Sequence, residues 1–471
     1  MAGQPRQIAV RLGVVKPLAT AYALGLLSST GPRLFRVLLL LSKRKLGFHA
    51  AWLQIKTIFQ QANALHRFPT FCGVLVGGST LFQAPIRSFI VLLLRAIHVG
   101  QIDVGSVRLV TRLLAALISA AVSFSLLNKK PPSSVSNPAK DVRPLSTHLD
   151  VLAAGPFDSP PETKSLEVDN ARLEAKGLSR TDLAGKTMDL TLFAAVRALD
   201  VVLSGIWERT PAAQRSSKLQ AMARHTSTAL FCFSVATIMH SWFYSPSRLP
   251  KSYNRWISAA AELDQRLLLA LRHARYGTWI YGKDTGMAPL LGSLCRDYGL
   301  PEVWGDPSRT CPIPCELVHM GRGKSCEKHA LVRFGRGWSF AAKISAFLGA
   351  FIASFYYGVC LSRTRLGPKL FSSKTITPQM WDSGLCVLAG CMLCGSSIFV
   401  EQQRKRLEIM FFVLPRAAAT WFPRRYLPEE RWKEHVAFTL SAAIVLTTAQ
   451  ESPKRVSGVL GSILHGVLST S

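Results

Sequence analysis

The stretch WSFAAKISAFLGAFIASFYYGVCL, from Trp338 to Leu361, contains one charged residue in 24 positions. A helix needs about 20 consecutive apolar residues to cross the hydrocarbon core of a bilayer, and this run is long enough. Its one charge, Lys343, lies near the start, where a long side chain can reach the membrane surface. The stretch therefore predicts a membrane-spanning helix.

Further apolar runs lie on both sides of this stretch, separated by segments rich in Lys, Arg and Pro. The shorter runs could tilt, re-enter or lie at the interface. We predict an all-α fold, a polytopic membrane helical bundle; a soluble, all-helical protein with long core helices is the alternative. The predicted spans are Thr70–Leu94, Leu113–Leu127, Leu190–Trp207, Ser227–Tyr244, Trp338–Leu361, Gly384–Val400, Leu407–Phe422, Val436–Ala449 and Val456–Leu468.

The formal net charge of the 471-residue chain is +30, and no Asp or Glu precedes Asp103. Such a charge favours binding to anionic membrane lipids, although Arg-rich, acid-free N-termini are also typical of mitochondrial import segments. No nucleic-acid motif is present, so no nucleic-acid partner is predicted. Without a secretory signal, a disulfide framework is not expected from the ten cysteines.

The distribution of apolar, polar and Pro/Ser-rich segments divides the chain into six regions. The region from 245 to 337 carries Trp, Tyr and several Gly-aromatic pairs, so we predict a small extramembrane domain that binds protein partners. The regions are a basic N-terminal region (1–69), a first membrane helical unit (70–127), a disordered Pro/Ser linker (128–186), a second membrane helical pair (187–244), the extramembrane Cys/His domain (245–337) and a C-terminal membrane helical unit (338–471).

Two pairs of similar segments predict that the helical units are duplicated. Gly78-Ser-Thr-Leu-Phe82 matches Gly395-Ser-Ser-Ile-Phe399, and Ser245-Pro-Ser-Arg248 matches Ser452-Pro-Lys-Arg455. Small residues allow helix backbones to approach closely in lipid. The glycines predicted to make such contacts are Gly73, Gly77, Gly78, Gly384, Gly390 and Gly395.

A candidate zinc site lies in the polar region. Cysteine and histidine are the usual zinc ligands, and four of them complete a structural site. The spacing is not that of a standard zinc finger, so a loop of partly buried cysteines and surface histidines is the alternative. The candidate ligands are Cys311, Cys315, His319 and Cys326, with His329 close behind.

Three ionisable residues in one apolar run form a second candidate site, the intramembrane charged face Asp189, Arg197 and Asp200. The two aspartates are almost three helical turns apart and share a helix face, and Arg197 can pair with Asp200. Ionisable groups inside a span usually face the bundle interior or a water-filled path. A substrate or proton route is one interpretation; an interfacial ion pair is the other.

Cys315-Glu-Leu-Val-His319, followed by Ser325-Cys326, resembles the Cys-rich domain of the transmembrane protein 135 family. The span Leu230–Trp256, which contains Ser-Pro-Ser-Arg-Leu-Pro, is also similar, as is Tyr281-Gly-Lys-Asp-Thr-Gly286 to fungal members. The resemblance covers roughly residues 50–468. The repeated units also look like those of mitochondrial translocase subunits and a peroxisomal membrane protein.

The resemblance implies a multi-pass, non-enzymatic protein of mitochondrial or peroxisomal membranes. It implies roles in organelle organisation, in the balance of mitochondrial fission and fusion, and in lipid homeostasis. The duplicated units and the charged face support a different hypothesis, a transporter or translocation pore for a small solute or lipid. A membrane-bound zinc enzyme is a third hypothesis, and no catalytic residue is assigned.

Overall fold

The computed structural model describes residues 4–44, 47–97, 103–129, 157, 184–211, 217–261, 263–318, 340–372, 374–422 and 425–468. Regular structure in these ranges is helical, apart from one isolated bridge between Ala184 and Tyr426. The all-α class is therefore confirmed. Most of the predicted linker at 128–186, and the predicted ligands His319 and Cys326, lie outside the described residues.

The main helices are numbered in chain order. They are α1 Gln4–Ser42, α2 Phe48–Ala62, α3 Phe68–Ala96, α4 Val104–Leu127, α5 Met188–Arg209, α6 Ser217–Tyr244, α7 Lys251–Ala261, α8 Gln265–Tyr276, α9 Ala288–Asp297, α10 Phe340–Cys360, α11 Pro378–Val400, α12 Gln403–Ala419, α13 Arg431–Glu451 and α14 Gly458–Leu468. Two short helical turns, Glu302–Gly305 and Cys315–Val318, lie in the described part of the chain between α9 and α10.

Within the described ranges, six helices are long and apolar enough to cross a membrane, the pattern of a multi-pass membrane protein. They are Val15–Ser42, Phe68–Ala96, Val104–Leu127, Met188–Arg209, Ala346–Leu370 and Pro378–Val400. The first was not among the predicted spans, because the N-terminal region reads as basic. No charged residue separates Pro17 from Pro32, however, and the basic residues lie around that stretch.

The chain folds as two compact units. Unit 1 comprises 1–140, 184–216 and 425–471, and unit 2 comprises 141–183 and 217–424. The segment predicted as one C-terminal helical unit (338–471) contributes to both of them.

Unit 1 is built around α13, which packs against α4 and α5. The rings of Phe124 and Phe438 stack at 4.5 Å between centroids. A π-helical turn, Gly73–Gly77, interrupts α3, and the Ser119 hydroxyl on α4 lies 2.5 Å from the Val74 carbonyl oxygen. A π-turn leaves backbone carbonyls without their usual hydrogen-bond donor, and the Ser119 hydroxyl donates to this one instead.

Unit 2 is built around the pair α10 and α11, with α6 and α12 alongside. The predicted glycine contacts are present here. A Cβ on Gly390 would lie 2.8 Å from the Phe355 carbonyl oxygen, and one on Gly395 would lie 2.7 Å from Cys232 Cα. Only glycine allows α11 to approach α10 at Gly390, and α6 at Gly395, this closely.

The two Ser-Pro-x-Arg segments adopt the same turn. Each forms a short 3₁₀ helix, Pro246–Arg248 and Pro453–Arg455. The preceding serines have nearly equal dihedral angles, φ −143° and ψ 59° at Ser245, φ −140° and ψ 74° at Ser452. The similarity of the two segments thus extends to their local conformation, while duplication of the whole units stays a prediction.

Candidate functional site

The predicted zinc ligands are only partly described. Cys311 is exposed, and Cys315 begins the short turn Cys315–Val318. In the part of the chain that the structure describes, no three His, Cys, Asp or Glu residues form a group that could hold a metal. A zinc site that uses His319 and Cys326 stays a prediction.

The predicted charged face lies on α5 in unit 1. Arg197 is buried at 6% exposure, and its Nη1 donates to the Ser457 carbonyl oxygen at 3.1 Å. Asp200 is half-buried and interacts with Arg197 and Ser457. Asp189 is exposed. The structure thus groups Arg197 with Asp200 and places Asp189 at a more open position.

Unit 2 contains a buried ion pair that the sequence analysis did not identify. Arg363 Nη2 lies 2.8 Å from Asp382 Oδ2, and the two side chains are 6% and 1% exposed. Each residue sits in a π-helical turn, Leu361–Leu366 after α10 and Trp381–Leu385 within α11. Such turns often occur at functional sites, because they change the direction of the side chains that they carry.

The segment between α8 and α10 contributes to the same cluster. The Tyr281 hydroxyl donates a short hydrogen bond to the Asp382 carboxylate, and the Ile313 amide donates to it at 3.3 Å. Partial burial raises the pKa of the Tyr281 phenol, and the negative charge of Asp382 raises it further. The phenol therefore stays protonated and keeps donating to the carboxylate.

A further contact holds this segment against the start of α11. Gln379 Nε2 donates to the Trp279 carbonyl oxygen at 2.7 Å, and the Tyr281 amide donates to Gln379 Oε1 at 3.1 Å. We call Arg363, Asp382, Tyr281 and the Ile313 amide the buried polar cluster. One signal for this cluster was present in the sequence. Arg363 closely follows the predicted span Trp338–Leu361, and Asp382 closely precedes the predicted span Gly384–Val400.

A large apolar pocket lies in unit 2, next to the buried polar cluster. Its volume is about 540 Å³, within the range of roughly 300–1,000 Å³ that is usual for small-molecule sites. Helices α6, α7, α10 and α12 form its walls, and among the described residues of its lining Glu401 is the one that is charged. A pocket of this composition suits a hydrocarbon chain, because burial there removes apolar surface from water at no polar cost.

Helix α7 shows how the sequence builds one wall of the apolar pocket. Its lining residues have the spacing i, i+3, i+4, i+7 and i+8, the apolar stripe of an amphipathic helix. They are Tyr253, Trp256, Ile257, Ala260 and Ala261. Arg255 and Ala259 are exposed on its other faces.

The apolar pocket adjoins the buried polar cluster. A smaller cavity of about 30 Å³ is lined by Arg363 and Asp382 on one side. It shares four lining residues with the apolar pocket: Phe243, Leu263, Phe355 and Tyr356. The apolar pocket and the cavity beside the ion pair are therefore neighbours, with these four side chains bordering both.

The fold defines the class: a multi-pass helical membrane protein, with a large apolar pocket in unit 2. No protein-family model, curated protein or solved structure matches the chain. The resemblance to the transmembrane protein 135 family therefore stays a prediction from the sequence, and the function is argued below from the pocket.

Proposed function

We propose that this is a non-enzymatic, multi-pass organelle membrane protein that handles lipid by holding a lipid hydrocarbon chain in the apolar pocket. The observation that carries the proposal is the pocket of about 540 Å³, walled by four helices of unit 2, whose described lining is almost entirely apolar. Two of its features suit a lipid. The wall α10 overlaps a candidate span, and α7 is amphipathic, as interfacial helices are.

The family resemblance extends this proposal to location and physiology. It supports residence in a mitochondrial or peroxisomal membrane and an influence on organelle organisation, including mitochondrial fission. Imaging of a tagged full-length copy, combined with alkaline extraction, tests the location. Partner binding through 245–337 is part of the same proposal.

Filling the pocket is expected to abolish lipid binding. Ala260 lines the pocket while the neighbouring Ala259 is exposed, so Ala260→Trp places an indole in the space and Ala259→Trp places it outside. The full-length protein would be reconstituted in vesicles that contain a phosphatidylcholine with a photoreactive acyl chain. We expect labelled peptides from α6, α7, α10 and α12 in the wild type and in Ala259→Trp, and only background labelling in Ala260→Trp.

Equal labelling of the two tryptophan variants would show that the pocket does not hold lipid. A melting curve of each variant confirms that it is folded. Because the substitutions are identical and adjacent, a general effect of an added indole cancels between them.

A second candidate function, transport, is supported by the polar groups of unit 1. Arg197 is buried within a candidate span and Asp200 lies beside it, and intramembrane charges usually mark ion or substrate paths. If this is a proton path, proteoliposomes with an internal pH-sensitive dye will show proton flux that Asp200→Asn removes. Flux no greater than that of protein-free vesicles would end the proton-path hypothesis.

A further inference from the structure

The apolar pocket is electrically asymmetric. Glu401 lines it just before α12 begins, and Arg416 lies one turn beyond the lining residues Phe412 and Val413. A helix rises about 1.5 Å per residue, so the two charges lie on the order of 20 Å apart. A carboxylate therefore lines one end of the pocket, and a guanidinium lies beyond the other.

Arg416 is held at the pocket's edge by aromatic rings. Its guanidinium carbon lies 3.7 Å from the ring centroid of Phe412 and 5.7 Å from that of Tyr253. Its Nη1 donates a short hydrogen bond to the Phe412 carbonyl oxygen. Among the described residues no carboxylate pairs with it. Stacking on the two rings fixes the orientation of the guanidinium, and its remaining N–H groups donate to no described carboxylate.

We propose that the apolar pocket binds an anionic membrane phospholipid, with the acyl chain between the four helices and the phosphate on Arg416. The inference rests on the proposed lipid-holding function and adds the class of lipid and its orientation. An arginine fork matches the oxygens of a phosphate and binds two of them at once. The Glu401 carboxylate repels an anionic head, so the head lies at the Arg416 end.

The surroundings fit the same ligand. Trp256, which lines the pocket, is 57% exposed, and Trp and Tyr side chains are enriched at the level of lipid head groups. The whole chain carries a net charge of +30. An anionic lipid is therefore both attracted to this protein and selected at one position of the pocket.

The test compares lipids that differ only in the head group. The full-length protein in detergent would be titrated with phosphatidylglycerol and with phosphatidylcholine of identical chains, and binding followed by displacement of a fluorescent acyl probe. The wild type is expected to prefer phosphatidylglycerol. Arg416→Gln removes charged hydrogen bonds to the phosphate and should weaken phosphatidylglycerol binding about tenfold. Phosphatidylcholine binding should weaken less, because the choline cation already offsets the charge of its phosphate. Arg416→Lys keeps the positive charge but lacks the guanidinium fork, so its affinity for phosphatidylglycerol should lie between those of the wild type and Arg416→Gln.

Arg255→Gln is the matched control, because it removes one positive charge from the outer side of α7. It should retain the preference of the wild type. If Arg416→Gln keeps the full preference for phosphatidylglycerol, or if free oleate displaces the probe and phosphatidylglycerol does not, the inference is wrong while lipid holding stands. If none of these lipids displaces the probe from any variant, the proposed function itself fails.

Discussion

Replacing Asp382 with alanine is expected to lower the free energy of unfolding by about 3–5 kcal/mol, because it leaves the Arg363 guanidinium buried without its counter-charge. Arg363 is 6% exposed at its side chain. The same substitution removes the acceptor of the Tyr281 hydroxyl and of the Ile313 amide, which adds unpaired donors to the unpaired charge.

Unfolding would be followed by tryptophan fluorescence in mixed micelles. The double variant Arg363→Met with Asp382→Leu should recover most of the loss, because exchanging a buried pair for apolar side chains is often neutral. The exposed pair Arg296–Glu302, at 2.7 Å, lies in the same unit, so Glu302→Ala serves as a control and should change little. An Asp382→Ala variant that unfolds like the wild type would show that the pair is not formed.

Replacing Glu434 with alanine is the second change with a large expected effect, in unit 1. Its carboxylate is buried at 6% exposure and accepts from the hydroxyls of Thr187 at 2.6 Å and Thr191 at 3.1 Å. Tyr426 donates a third, short hydrogen bond to it. Each buried hydroxyl left without a partner costs about 1–3 kcal/mol, so we expect a loss of roughly 3 kcal/mol in total.

Glu434→Gln should recover much of this loss, since the amide oxygen still accepts hydrogen bonds. The exposed Glu429 lies on the preceding turn, so Glu429→Ala controls for the loss of one acid. The same micelle unfolding assay measures all three. If Glu434→Ala and Glu429→Ala unfold alike, the hydroxyl cluster does not stabilise unit 1.

The helical class and the membrane character could be predicted because they depend on local composition. Long apolar runs form helices in lipid whatever they pack against. The span Val15–Ser42 was missed because Lys16, Arg33 and Arg36 lie within it, and other basic residues on both sides make the whole N-terminal region basic on average. The average charge of the N-terminal region therefore concealed the uncharged stretch between Pro17 and Pro32.

The pocket and the buried polar cluster could not be predicted because they depend on packing between distant segments. Tyr281 and Asp382 are 101 residues apart, and no local pattern indicates that they meet. The apolar stripe of α7 was visible, yet it does not reveal that the stripe faces a cavity. The glycine contacts at Gly390 and Gly395 were predicted, because small residues in a span have few other uses.

The order in which the chain is made gives the buried ion pair a further role. Arg363 is synthesised 19 residues before its partner Asp382. A charge at the centre of a membrane-spanning helix costs about 2.5–3.5 kcal/mol on insertion, and less towards the helix end, where Arg363 lies. Insertion of this part of the chain is therefore expected to become less costly once Asp382 has been made and the two charges can pair. The ion pair would then assist membrane insertion as well as the folded state.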